Sequence, residues 1–196
     1  MAVPLTTIAK VKLQLGITTS DFDALLTQLV NNVSAWIEGQ IGRTIGETAY
    51  ADDIYDGTRA KDIFLRNWPV TDFTSAEFNA GTLAVPVWQA FDINSYIVYR
   101  EQGIVHFVAG PPIWKQNLRF AYDAGFDPIP ADLEQLATDM VAQTYNARSA
   151  GGKKAESVEG ASITWAGADA GESELSAEQK AVIAKYQRFN AVDTQV

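Results

Sequence analysis

FAYDAGFDPIPADLEQLATDMVAQTYNAR, residues 120–148, is the stretch on which the fold turns. Leu118, Phe120 and Tyr122 alternate with Arg119, Ala121 and Asp123, the period of a strand with one buried face. Gly125 supplies positive-φ freedom for a turn, while Pro128 and Pro130 restrict φ and remove amide donors, so sheet pairing cannot continue. The pattern predicts a helix from Pro130, with Asp132 and Glu134 in its first turn, where carboxylates complement the helix dipole. Leu133, Leu136, Ala137, Met140, Val141 and Tyr145 fall three and four apart and make one apolar face. Nothing here is catalytic chemistry; the stretch anchors a packing helix to the end of a small sheet.

Upstream, Thr6 or Thr7 can cap a short helix ending at Leu15, with Ile8, Val11, Leu13 and Leu15 as apolar members and Gly16 as its stop. Ser20 with Asp23 three residues on has the form of a capping box, Asp standing in for Glu. The helix that follows carries Phe22, Leu25, Leu26, Leu29, Val33, Trp36, Ile37 and Ile41 in a sustained stripe. Trp36 and Met140 are the expected contact between this helix and the one after Pro130.

From Thr44 the pattern turns to strands. Residues 50–55, 63–65, 73–78, 95–100 and 104–108 are short runs rich in β-branched and aromatic side chains. Glu101-Gln102-Gly103 reads as a hairpin turn, and Asn67-Trp68-Pro69-Val70 and Ala109-Gly110-Pro111-Pro112 punctuate the sheet. After Gly151 the chain is small and polar, with Val158, Ile163 and Trp165 as its apolar anchors, a composition expected to stay mobile until something binds it. A last helix starts at Ser176 and is expected to reach Asn190, with Leu175, Val182, Ile183, Tyr186 and Phe189 on its apolar side. The fold class expected is α+β: mainly a helical bundle core (1–43 and 116–150 with its last strand), a β-rich insertion between the second and the long third helix (44–115), a flexible loop (151–175) and a C-terminal docking helix (176–196).

Composition narrows function. With 196 residues, 47% apolar and 11% aromatic, the chain has ample material for a core. Twenty-four acidic against 15 basic residues, net −9, disfavour a surface that grips nucleic acid, since phosphate binding rests on clustered Lys and Arg. There is no cysteine, hence no disulfide and no thiolate metal site. MAVPLTTIAKVKLQ lacks an export pattern, and no apolar run reaches the roughly 18 residues of a membrane span.

Enzyme chemistry is sparse. Asp52-Asp53-Ile54-Tyr55-Asp56-Gly57 resembles a calcium loop, but Ile54 and Ile63 fall at ligand positions three and twelve, which favours a structural role. His106 is the only histidine and lies in an apolar strand without a nucleophile pattern, so a satisfied sheet residue is the better reading. Gly151-Gly152-Lys153-Lys154 lacks the spacing and the Ser/Thr of a phosphate loop. Tyr50, Trp68, Trp88, Tyr96, Tyr99 and Trp114 suggest core and subunit packing before a sugar platform. No catalytic residue, metal ligand or cofactor site is expected.

The 120–148 stretch also resembles a known family. Its strand ending Tyr122-Asp123-Ala124-Gly125-Phe126, its Pro-bounded turn, its Pro130-Ala131-Asp132-Leu133-Glu134 helix start and its Asn146-Ala147-Arg148 helix end resemble the head-tail connector (head-completion adaptor) family of tailed bacteriophages. VKLQLGITTSDFDALLTQLVNNVSAWIEGQIGR, residues 11–43, is similar to that family's opening, and GGKKAESVEGASITW, residues 151–165, to its loop leading to a short strand. The resemblance covers roughly the first quarter and last third of the chain. It implies a structural virion protein, assembled in the host cytoplasm and resident in the neck. Copies would form a homo-oligomeric ring, a dodecamer in the virion, below the portal protein; DNA would pass through without specific binding, and the tail or stopper protein would dock beneath. In the family the C-terminal part contacts the portal, which makes Leu175, Val182, Ile183, Tyr186 and Phe189 the expected portal or subunit interface. Lys153, Lys154, Glu156 and Glu159 are the expected channel loop. Two other classes stand beside it: a ligand- or carbohydrate-binding module using the aromatic strands, and a hydrolase built on Asp52 and Asp56.

Overall fold

The computed structural model describes residues 3–149, 155–158, 161–164 and 175–187. In chain order the elements are α1 (Ile8–Leu15), α2 (Asp23–Ile41), β1 (Thr48–Gly57), β2 (Asp62–Phe64), β3 (Val70–Asn79), β4 (Trp88–Ala90), β5 (Tyr96–Tyr99), β6 (Ile104–Phe107), β7 (Trp114–Ala124), α3 (Ala131–Ser149), β8 (Ala155–Val158), β9 (Ala161–Thr164) and α4 (Ala177–Tyr186). They divide into a helical unit, Met1–Arg43 with Ile129–Val196, and a β unit, Thr44–Pro128.

In the helical unit α1 starts where the Thr7 side chain accepts the Lys10 N–H and stops at Gly16, which takes the left-handed conformation at φ 68°. The capping box expected at Ser20 and Asp23 does not form. Asp23 is the first helical residue of α2, and its carboxylate accepts Lys12 Nζ at 2.8 Å, closing the corner between α1 and α2. Helix α2 buries Leu26, Val30, Val33, Ile37 and Ile41, while α3 buries Leu133, Leu136, Ala137, Val141 and Ala142, and the two helices pack on each other. The buried hydroxyls of Thr6 and Thr138 share a 2.7 Å hydrogen bond, and Leu5 N–H donates to Ser34 Oγ at 2.9 Å, so the N-terminal segment is stitched to both helices.

Trp36 is not the core contact its sequence position suggested. It is 39% exposed, and Met140 is half-buried. At 3.6 residues per turn, Trp36 lies about 100° from the centre of the Leu26–Val30–Val33–Ile37 seam, on its flank. Truncating it to alanine should therefore cost about 1 kcal/mol, well short of the 3–5 kcal/mol of a buried tryptophan. Urea unfolding of the variant measures this directly.

The β unit is built from two antiparallel sheets, ordered β1-β7-β3-β4 and β2-β6-β5. Strand β7 is bonded on both sides, with Tyr122 opposite Tyr50 of β1 and Phe73 of β3, and Phe120 opposite Asp53 and Ala76. Its inward residues Leu118, Phe120, Tyr122 and Ala124 join Tyr55, Ile63, Leu65, Val70, Ala76, Val105 and Phe107 in one buried cluster drawn from both sheets. The strand at 118–122, expected with the helices, is thus the spine of the β unit. The α+β class holds, but a helical bundle is not the main core, because the largest aromatic side chains are buried among the strands. Strand β4 escaped the sequence pattern: it is short and pairs only with residues 77–79 of β3.

Close approach requires glycine at Gly57, Gly81 and Gly125. At Gly125, φ is 126° and a Cβ would lie 2.5 Å from the Gly46 carbonyl oxygen; at Gly57 it would lie 1.9 Å from that of Pro112. The Glu101-Gln102-Gly103 turn joins β5 to β6 with Gly103 at φ 60°, as its sequence predicts. Within the segment expected as a loop, β8 and β9 form an antiparallel hairpin. Among the described residues no helix is long and apolar enough to cross a membrane.

Candidate functional site

Helix α4 carries most of the expected interface residues. Ser176 caps it, accepting the Gln179 N–H while the Gln179 side chain accepts the Ser176 N–H, a complete capping box. Its apolar side is the expected portal or subunit interface; within this chain α4 lies on α2 and α3, and Ile183 is only 4% exposed. Leu175, Val182 and Tyr186 are half-buried, and Phe189 lies outside the described residues.

A polar clasp explains the docking. Asp132, at the start of α3, accepts the Tyr186 hydroxyl at 2.6 Å and Lys185 Nζ at 2.9 Å. Arg43 Nε donates to the Tyr186 carbonyl at 3.1 Å, and Gln187 Nε2 to the Gln40 carbonyl at 2.7 Å. Burial by itself would raise the Asp132 pKa, but the hydrogen bonds from Tyr186, Lys185 and the Leu133 N–H outweigh it and hold the carboxyl below its usual value. The Tyr186 hydroxyl moves up, through burial first and the adjacent carboxylate second. A folded-state pKa below the unfolded one means that the Asp132 contribution is complete above the unfolded value, near 4, and is lost as pH falls through the folded value. The urea midpoint of the helical unit should therefore hardly change on this account between pH 5 and 8 and should drop below about pH 4. Asp132→Asn should flatten that acid limb.

Of the expected channel loop, Lys153, Lys154 and Glu159 lie outside the described residues. Glu156 lies on β8, in register with Ile163 of β9.

In the β unit the acidic strand β1 serves the sheet. Asp52 pairs with Arg119, which also holds Glu77 and lies 4.6 Å from the Trp88 ring centroid. Asp53 accepts the Tyr55 hydroxyl at 2.6 Å and that of Tyr122 at 2.7 Å, and it pairs with Arg66. Burial and hydrogen bonding raise both tyrosine pKa values. Asp56 Oδ1 accepts the Gln116 N–H at 2.7 Å. His106 Nδ1 meets Asp62 Oδ1 at 2.5 Å across β2 and β6, the satisfied sheet position expected of it. Among the described residues no three His, Cys, Asp or Glu side chains gather as a metal site.

The six aromatic candidates do not share a platform. Tyr50 stacks on Tyr122, Tyr96 packs on Phe73 and Phe107, and Trp88 lies under Arg119. Trp114 instead projects, 66% exposed, into an open cleft of about 520 Å³ with Leu83, Ile113, Asp56, Gly57, Thr58 and Lys115. Asn117 holds that corner: its Oδ1 accepts the Gly57 N–H and its Nδ2 donates to the Pro112 carbonyl, each at 2.8 Å. Gln116 beside it sits at φ 49°, a strained value for a side-chain-bearing residue. Leu83 and Ile113 were invisible to periodicity because they lie in connections; the Pro111-Pro112-Ile113-Trp114 run was their signal. What both units offer is contact surface: an apolar cleft with one charged rim, and a helix clasped by polar groups.

Residues 4–189 match the head completion protein (HCP) family. A search of curated protein sequences finds no match. Among solved structures, the chain is similar to one in the neck of an empty GTA particle computed with C6 symmetry, at 16% identity and TM-score 0.64, covering 100% of this chain and 94% of that one. It is similar to a chain of the virion of a native gene transfer agent (GTA) particle, at 18% identity and TM-score 0.61, covering 98% and 92%. It is also similar to one in the neck of a native GTA particle computed with C12 symmetry, at 17% identity and TM-score 0.55, covering all of both chains. At such identities these likenesses establish the fold. The family match, running from residue 4 to residue 189, establishes the kinship: the chain belongs to the head completion protein family, and its role is that of a structural adaptor joining head to tail.

Proposed function

We propose that copies of this chain form a dodecameric ring beneath the portal protein of a tailed phage or phage-like particle. The ring extends the DNA channel and presents a platform for the stopper or tail protein. Assembly takes place in the host cytoplasm, and the virion neck is the final location. The family match over residues 4–189 carries this reading, and the shared fold with chains from particle necks supports it. The formal charge of −9 suits a channel wall past which DNA slides without sticking.

Within the ring, Leu175, Val182, Ile183, Tyr186 and Phe189 mark the C-terminal region that meets the portal or the adjacent subunit. The 151–160 stretch, with Lys153, Lys154, Glu156 and Glu159, borders the bore. The chemistry is that of assembly, with no catalysed step. A phage carrying a stop codon in this gene should accumulate heads and free tails that do not join, and supplying the protein in trans should restore tailed particles. Normal yields of infectious tailed particles from the mutant would overturn the proposal.

A further inference from the structure

Helix α4 is bound to the helical unit as a separable ligand would be. Ile183 is its one buried apolar side chain, Leu175, Val182 and Tyr186 are half-buried, and polar contacts complete the attachment: Tyr186 and Lys185 on Asp132, Arg43 on the Tyr186 carbonyl, and Gln187 on the Gln40 carbonyl. Its capping box closes the N-terminus with its own residues, so the helix brings its start signal with it. Every partner in the groove, from Gln40 and Arg43 on the α2 side to Asp132 on α3, would be satisfied identically by the same helix from another copy. Exchange therefore changes no contact, which is why swapping an identical element is a low-cost route to association.

Chain length permits it. Residues 150–175 separate α3 from the Ser176 cap. Leaving aside the β8–β9 hairpin, the remainder spans up to roughly 50 Å at about 3.3 Å per residue. A body of about 100 residues has a radius of gyration near 13 Å, so that span exceeds the width of such a body. In a ring, neighbouring grooves are held at high effective concentration, which favours the intermolecular choice that dilution disfavours.

We propose that in the assembled ring the groove between α2 and α3 receives helix α4 of the adjacent copy, so that each subunit is strapped to the next through the Asp132–Tyr186–Lys185 clasp. This rests on the ring proposed above and adds to it the occupant of the groove.

The chain has no cysteine, so labels can be placed at will. Gln40→Cys and Gln187→Cys bring one thiol to the groove rim and one to the helix end. Their near contact runs through the Gln40 backbone carbonyl, which the first substitution keeps. The double variant, bound to portal rings and treated with a short bis-maleimide, should give a ladder of covalent oligomers, whereas the dilute free chain should give only internally closed monomer. An equimolar mixture of the two single variants on portals should give covalent dimers, and neither single variant alone should. Internally closed monomer without a ladder, from portal-bound rings seen by electron microscopy, overturns the exchange and leaves the ring standing. Absence of any ring with the wild-type chain overturns the ring and the exchange together.

Discussion

Phe120→Ala should destabilise the β unit by about 3–5 kcal/mol, a large share of the 5–15 kcal/mol net stability of an ordinary domain. Phe120 is fully buried on the central strand β7, with the rings of Tyr55, Phe73 and Phe107 at 5.3, 6.1 and 6.4 Å. These neighbours come from β1, β3 and β6, which belong to two different sheets, so the cavity left by truncation would have strands on both sides that hydrogen-bonded ladders keep from collapsing inward. Tryptophan fluorescence should report the unfolding, because Trp68, Trp88 and Trp114 lie in the same unit. A loss below about 1 kcal/mol would show that the aromatic cluster is not what holds the sheets together.

Gly57→Ala should be nearly as damaging, by about 2–4 kcal/mol, although it adds a single methyl. That methyl would meet the Pro112 carbonyl oxygen at 1.9 Å and Asn117 Oδ1 at 2.6 Å. Relieving the clash means moving backbone or expelling the buried Asn117 amide. The Gly57 N–H and the Pro112 carbonyl would then lose their partners. Gly39→Ala is the natural control. It lies in α2 with nothing within 4 Å of the added carbon, so helix propensity alone should stabilise it, by up to about 1 kcal/mol. Thermal midpoints moving in opposite directions for the two variants would show that the effect is local geometry and not intolerance of alanine. Trp114, presented from the same corner, should also change its fluorescence in the Gly57 variant.

Elements governed by local chemistry were legible in the residues. The Thr7 cap, the Gly16 stop, the Ser176–Gln179 start and the Leu133–Val141 face of α3 each depend on residues within a turn or two of one another, and all are present. What failed depends on partners distant in sequence. Ser20 and Asp23 have the spacing of a capping box, but Lys12 from the preceding helix competes for the carboxylate. The stripe on α2 includes Trp36, but which edge of a broad stripe faces inward is decided by α3, more than 90 residues away. Strand β7 adjoins the helices in the chain, which groups it with them by sequence, whereas its hydrogen bonds go to β1 and β3. The candidate interface divides in the same way. The apolar residues of α4 were visible as a pattern, but Asp132, Arg43 and Gln40, which clasp it, carry no local signature. Family resemblance supplied the role in assembly, which neither periodicity nor composition encodes.

Mixing the purified protein with portal rings of its own particle, followed by cryo-electron microscopy, shows whether this chain forms a ring on a portal. A stoichiometric complex is expected: one copy of this chain per portal subunit, arranged as a closed ring around the axis, with the portal's channel continued through it. Portal rings that remain bare at saturating protein, or decoration without rotational order, would contradict it.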